Sequence, residues 1–192
     1  MTMTWTLDPV CVATLRGSLA LLFVVSAARK LRAPSAFRAA LTGYDLLPAG
    51  WVGPAANVVI GAEMMIGVGL LIPSLSASAA LAGALMLAVY AAAIAVNLGR
   101  GRTDIDCGCG GPAHTLPLTW LLLVRNLLLI NVAAIALVPS TARALHAFDV
   151  VVVASAVTTF SLLYVAFETA LANAARGHAQ ALRGTHDVQV PA

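Results

Sequence analysis

Charged residues make up only 10% of this 192-residue chain, against 60% hydrophobic residues, and the mean hydropathy is +0.92. Soluble domains carry roughly a quarter charged residues, so this composition excludes an ordinary water-exposed globule. The net charge of +3 arises from few charges, and they gather in connecting segments and the C-terminal stretch. A nucleic-acid binder needs a dense basic stripe, and none is present. Three cysteines are too few for a secreted scaffold built on disulfides. No phosphate-binding glycine loop, nucleophile elbow or dinucleotide fingerprint occurs. The first eight residues hold no lysine or arginine, whereas a secretory signal opens with a positive region. Val25-Ser26-Ala27 faintly resembles a cleavage site, but the first apolar run reads as a retained span.

What the chain has is long apolar runs. About 20 mostly apolar residues cross the roughly 30 Å hydrocarbon core, and five stretches qualify: residues 10–28, 54–72, 77–98, 117–138 and 150–167. Asp8-Pro9 offers the first a cap followed by proline at the first helical position. The second ends at Pro73, the third has Ser74 or Ser76 as its cap, proline opens the fourth, and Asp149 caps the fifth. Residues 33–50 are only half apolar and read as a short amphipathic helix at the interface, closed by Pro48 and Gly50. From residue 173 the chain turns polar and reads as a loose tail. The expectation is an all-α integral membrane bundle of about five transmembrane helices with a short interfacial helix. It forms one domain over residues 1–172, with a polar tail over 173–192. Gly61, Gly67, Gly69 and the Ala79-xxx-Gly83 pattern suit close helix contacts in lipid. Trp5, Trp51 and Trp120 fall near span ends, as interfacial anchors do.

Chemistry concentrates in one polar segment between apolar runs, Asp104-Ile105-Asp106-Cys107-Gly108-Cys109-Gly110-Gly111-Pro112, with His114 close behind. Thiolates are both nucleophiles and metal ligands, and local charge sets their reactivity. Arg100 and Arg102 would lower a thiol pKa there, while Asp104 and Asp106 would raise it. A disulfide across one intervening residue closes a strained ring, and strained disulfides are the labile, oxidising ones. The pair therefore reads as a redox dithiol. The rival use of the same atoms is a Cu(I) or zinc site with Cys107, Cys109 and His114 as ligands; structural zinc wants a fourth. A third reading is a membrane scaffold without chemistry. The bland account of the pair is two incidental cysteines in a glycine turn.

Ionisable residues also fall in or beside the apolar runs: Arg16, Glu63, Arg125 and Glu168. Such groups are expensive in lipid and are paired or functional. Glu63 with Arg16 or Arg125 is the expected pair, as a packing salt bridge or a proton relay. Arg125-Asn126 lies about two turns into the fourth span, within reach of the dithiol segment. Cys11 opens the first span at the opposite face and reads as an apolar filler. His146, His178 and His186 lack ligand spacing. With five spans, the loops after spans one and three share a side with the tail. That side carries Arg29, Lys30, Arg32, Arg38, Arg100, Arg102, Arg176 and Arg183, against Arg143 alone on the other. The positive-inside bias then places the dithiol segment in the cytoplasm.

Several of these residues together resemble the methylamine utilisation protein MauE family, within the broader group of small DoxX-like membrane proteins. The likeness rests on Arg29-Lys30-Leu31, Phe37, Tyr44-Asp45-Leu46-Leu47-Pro48, Glu63, Asn97-Leu98-Gly99-Arg100, Asp106-Cys107-Gly108-Cys109-Gly110-Gly111 and Arg125-Asn126. It covers about residues 10–170. Gly110-Gly111 departs from relatives that carry an aromatic residue before the glycine. The resemblance implies a four-helix DoxX-like core plus one helix, in the cell membrane and surrounded by lipid. It implies a role in maturing methylamine dehydrogenase, whose small subunit needs many disulfides, with a thioredoxin-like partner. Cys107 and Cys109 would then pass electrons between that partner and a membrane carrier such as a quinone. Arg100 and Arg125 would tune the thiols, with Asn126, Glu63 and Lys30 in support; no nucleic acid is involved.

Overall fold

The computed structural model describes residues 6–102, 118–141 and 143–187. Cys107, Cys109, His114 and Pro117 lie outside the described residues. Among the described residues six helices follow in order: α1 Pro9–Arg32, α2 Pro34–Tyr44, α3 Ala49–Leu71, α4 Ser76–Gly99, α5 Trp120–Ile135 and α6 Ala147–Asp187. Four of them, α1, α3, α4 and the first 28 residues of α6, are long and apolar enough to cross a membrane, and α5 is a shorter apolar helix. The chain is an all-α membrane bundle.

Local chemistry explains most boundaries. Asp8 caps α1 by accepting a hydrogen bond from the Val10 amide at 2.8 Å, with Pro9 at the first helical position. The helix runs on to Arg32, so Arg29, Lys30 and Arg32 form its last turn, where cations complement the helix dipole. Pro34 stops it: the preceding Ala33 is pushed out of the helical region. Asp45, left-handed at φ 52°, ends α2, a conformation that aspartate tolerates better than most residues. Pro48 is the residue flanking α3, and Pro54 lies inside that helix instead of opening it. Ser76 does not cap α4; its hydroxyl donates to the Pro73 carbonyl at 2.9 Å. Asp149 sits in the first turn of α6 and accepts from the His146 amide at 2.9 Å. The backbone of α6 stays helical to Asp187, through the polar stretch from residue 173 that reads as a loose tail.

Small residues set the helix spacing. A methyl group on Gly67 would meet Val24 at 2.6 Å and the Ala20 carbonyl at 3.1 Å, so α1 and α3 touch almost backbone to backbone there. Gly83 admits the Phe23 ring in the same way, whereas Gly61 faces open space. The main apolar core joins Leu19, Ala20 and Phe23 of α1 to Ile66 and Leu70 of α3, Ala80 and Leu87 of α4, and Ala133 of α5. A second cluster packs Leu118 and Leu122 against Tyr44, Ile94 and Ala172. A third lays α2, through Phe37, along Ala56 and Ile60 of α3. At the other end, Arg143 bridges Asp8 at 3.3 Å and Asp149 at 2.9 Å. Leu7 pairs there with residues 139–141 through backbone bonds of 3.1 and 2.9 Å. This ties the start of α1 to the α5–α6 connection. The Val10 amide and the Arg143 guanidinium hold the Asp8 carboxyl below its ordinary value, and Asp149 and Asp8 raise that of Arg143.

Candidate functional site

The inner faces of the bundle enclose a polar cluster that an apolar environment does not tolerate unless it is paired. Glu63 is 1% exposed and Lys30 4%. Glu63 lies eight residues before the Leu71 end of α3, roughly 12 Å along the axis. Its Oε1 accepts a short hydrogen bond from Lys30 Nζ, one from Tyr90 Oη at 2.7 Å and one from Ser26 Oγ at 3.0 Å. Lys30 Nζ also donates to Tyr90 Oη at 3.1 Å and stands over the Phe37 and Tyr90 rings, 4.9 and 5.0 Å from their centroids. Glu63 Oε2 has no hydrogen-bond partner among the described residues.

A second pair stands across the bundle. Arg125 Nη1 donates to Glu168 Oε1 at 2.7 Å, and Arg29 Nη1 reaches Glu168 Oε2 at 3.4 Å. The Arg125 guanidinium lies 5.8 Å from the centre of the Tyr164 ring. Asn126, 2% exposed, turns its amide back to the Leu122 carbonyl at 3.2 Å. Three cations (Arg29, Lys30, Arg125) thus face two carboxylates (Glu63, Glu168). Between the pairs runs a cavity of about 340 Å³, whose wall includes Glu63, Tyr90, Ser26, Arg29, Arg125 and Glu168 amid leucine, valine and phenylalanine side chains.

The expected partners of Glu63 are corrected here. Arg125 belongs to Glu168, and Arg16 donates to the Ala136 carbonyl at 3.1 and 3.2 Å. The antiparallel register of α1 and α3, set by Gly67 against Val24, brings Lys30 opposite Glu63 instead. Glu63, Arg125 and Asn126 therefore line one space, and Lys30 stands behind it, bonded to Glu63 and Tyr90. Arg100 does not: its guanidinium donates to the Asp45 carbonyl at 3.5 Å at the end of α4, and Arg102 bonds the Asp45 side chain at 3.3 Å. Arg102 and the buried Leu118 flank the cysteine segment in sequence. Arg102 is fixed to the end of α2, and Leu118 packs on Tyr44 of the same helix end.

Sequence reasoning passed over Tyr90, Ser26 and Tyr164, and it left Glu168 and Arg29 unassigned as partners. One signal was available. Lys30 is the chain's only lysine, and Glu63 and Glu168 are its only glutamates. All three are buried and ion-paired. No group of metal-holding side chains occurs among the described residues.

Residues 8–139 match the family model of the methylamine utilisation protein MauE. No curated protein and no solved structure gives a significant match. The chain belongs to the MauE family and is a membrane protein of methylamine utilisation.

Proposed function

We propose that this MauE-family protein is a thiol–disulfide relay of the cell membrane. It would help form disulfides in an exported protein, such as the small subunit of methylamine dehydrogenase, together with a thioredoxin-like partner. The observation that carries the reading is the Cys107-Gly108-Cys109 pair, in the segment between α4 and α5. The bundle ends on either side of it are anchored through Arg102–Asp45 and Leu118. Oxidising the pair breaks two S–H bonds, forms one S–S bond and releases two electrons and two protons. A quinone, when bound, would supply the sink for both and leave as hydroquinone.

The residues present fit such a group. The cavity offers apolar walls for a ring and a tail, with Arg125, Tyr90 and Glu63 at one end. Glu63, backed by Lys30, and Arg125, paired with Glu168, make that end charged and hydrogen-bonded. In this reading the cysteine segment faces outward from the cytoplasm. The basic excess at that end is partly accounted for by ion pairing, since Arg29, Lys30 and Arg102 pair with Glu168, Glu63 and Asp45.

Single Cys107→Ser and Cys109→Ser variants test the relay. One of them should accumulate a mixed disulfide with the partner on a non-reducing gel, and the double variant should lose disulfide formation in the exported substrate. A double variant that still supports substrate maturation would make the protein a scaffold.

A further inference from the structure

We infer that the outward face of α3 around Asn57 is an interface between two copies of this chain. The copies are related by a two-fold axis along the membrane normal, and each Asn57 amide donates to the other's side-chain oxygen.

Four asparagines lie in α3, α4 and α5, and three of them turn the side-chain amide back along their own helix. Asn97 donates to the Ala93 carbonyl at 3.1 Å, Asn126 to that of Leu122 at 3.2 Å and Asn131 to that of Leu127 at 2.8 Å. Asn57 makes no hydrogen bond among the described residues, and it is exposed. It stands eight residues after Ala49, the start of α3, roughly 12 Å along the axis. Trp51, 65% exposed, lies before it at the interfacial end. At 23 residues, α3 is about 34 Å long against a hydrocarbon layer of roughly 30 Å, which puts Asn57 about 10 Å inside that layer. Lipid tails offer neither donor nor acceptor, so an unmet amide there is costly.

The same face holds a second unmet acceptor. Pro54 lies inside α3 and has no amide to give the Gly50 carbonyl, four residues before it. Gly50, Pro54, Asn57 and Val68 are all exposed and share one side of the helix. Val52, Ala56, Ile60 and Glu63 are buried on the other side, where α1, α2 and α4 pack. A Cβ on Gly50 would meet open space, which leaves room for another helix to approach the α3 backbone.

Chemistry and topology together select a second copy. A primary amide carries donors and an acceptor oxygen, so it is complementary to itself. Copies inserted with one topology pair about an axis along the membrane normal, which sets the two α3 helices side by side in the same direction. Each residue near that axis then faces its own counterpart. The face carries no charge to repel its copy, since the only ionisable residue of α3 is Glu63, 1% exposed on the inner side.

This interface does not rest on the proposed relay. Donor- and acceptor-labelled copies of the full chain in phosphatidylcholine vesicles, diluted with lipid, test it by energy transfer. The wild type should associate reversibly as a dimer. Asn57→Leu should weaken association about tenfold, the scale of two interhelical hydrogen bonds in a membrane. Asn57→Gln, which keeps the amide, should retain most of it. Asn131→Leu, at an exposed asparagine already bonded to its own helix, should leave it unchanged. The unfolding midpoint of Asn57→Leu in detergent should not fall. In a Cys11→Ala, Cys107→Ser, Cys109→Ser background, Gly50→Cys should cross-link two copies in oxidised native membranes. Val89→Cys on α4, 63% exposed, should not. A wild type that stays monomeric, Asn57→Leu associating as the wild type does or unfolding earlier, an equal loss in Asn131→Leu, or a Gly50→Cys cross-link to a different protein would each overturn the interface.

Discussion

Replacing Lys30 with methionine removes one charge from a pair in which Lys30 is 4% and Glu63 1% exposed. Two costs can be compared. An interhelical hydrogen bond inside a membrane protein averages about 0.6 kcal/mol, because the unfolded chain in the bilayer also finds partners. Breaking a buried ion pair by removing one member costs about 3–5 kcal/mol, since the other charge stays buried and uncompensated. Glu63 would keep Tyr90 and Ser26 as donors at 2.7 and 3.0 Å, which soften the loss without supplying a counter-charge. Lys30→Met should therefore destabilise by about 3 kcal/mol or more. The double variant Lys30→Met, Glu63→Leu should regain most of it, because an apolar pair replaces an ionic one. Reversible unfolding of the four proteins in detergent, followed by circular dichroism, gives the cycle. A single-variant loss near 0.6 kcal/mol, with no recovery in the double variant, would mean that Glu63 is neutral in the fold and that the charge argument is wrong.

Gly67→Ala should destabilise by about 1–3 kcal/mol, because the new methyl meets Val24 and the α1 backbone; Gly61→Ala, in open space, should stabilise by roughly 0.5–1 kcal/mol. Both are read from thermal unfolding in the same detergent, and equal effects would contradict the close α1–α3 contact. Arg125→Ala should lower the unfolding temperature more than Arg29→Ala, because Arg125 holds Glu168 at 2.7 Å and Arg29 only at 3.4 Å; the reverse order would reassign the pair. Asp8 lies below its ordinary 3.8, first through the Val10 amide and then through Arg143. Its contribution is therefore full above that value and is lost as pH falls through the lowered folded pKa. Unfolding midpoints of wild type and Asp8→Asn should differ near neutral pH and converge in strong acid; a constant difference would exclude the Asp8 carboxylate as the cause.

Much of the architecture was legible because lipid leaves few options. Apolar length marked α1, α3, α4 and α6, and the Asp8-Pro9 cap fixed the start of the first helix. The boundaries move outward where helices extend past their apolar runs. Arg29, Lys30 and Arg32 continue α1 because the helix dipole and Glu63 favour cations there. Residues 49–53 continue α3, where Pro48 precedes the helix and Val52 is buried. The site was half legible. The rarity of glutamate and lysine marks Glu63, Glu168 and Lys30 as groups that lipid would otherwise exclude. Their partners were not readable, because pairing depends on helix register, and one glycine contact, Gly67 on Val24, decides it. Tyr90 and Ser26 carry no sequence signal, since a tyrosine or serine in an apolar helix is ordinary until a carboxylate faces it.

The central claim is that Cys107 and Cys109 cycle between dithiol and disulfide outside the cytoplasm. Intact cells carrying a Cys11→Ala variant can be treated with a membrane-impermeant maleimide, with and without prior reductant, and compared with lysed cells. The account predicts labelling in intact cells that emerges only after reduction. Labelling confined to lysed cells would contradict it, placing the pair on the cytoplasmic side to which the basic residues point.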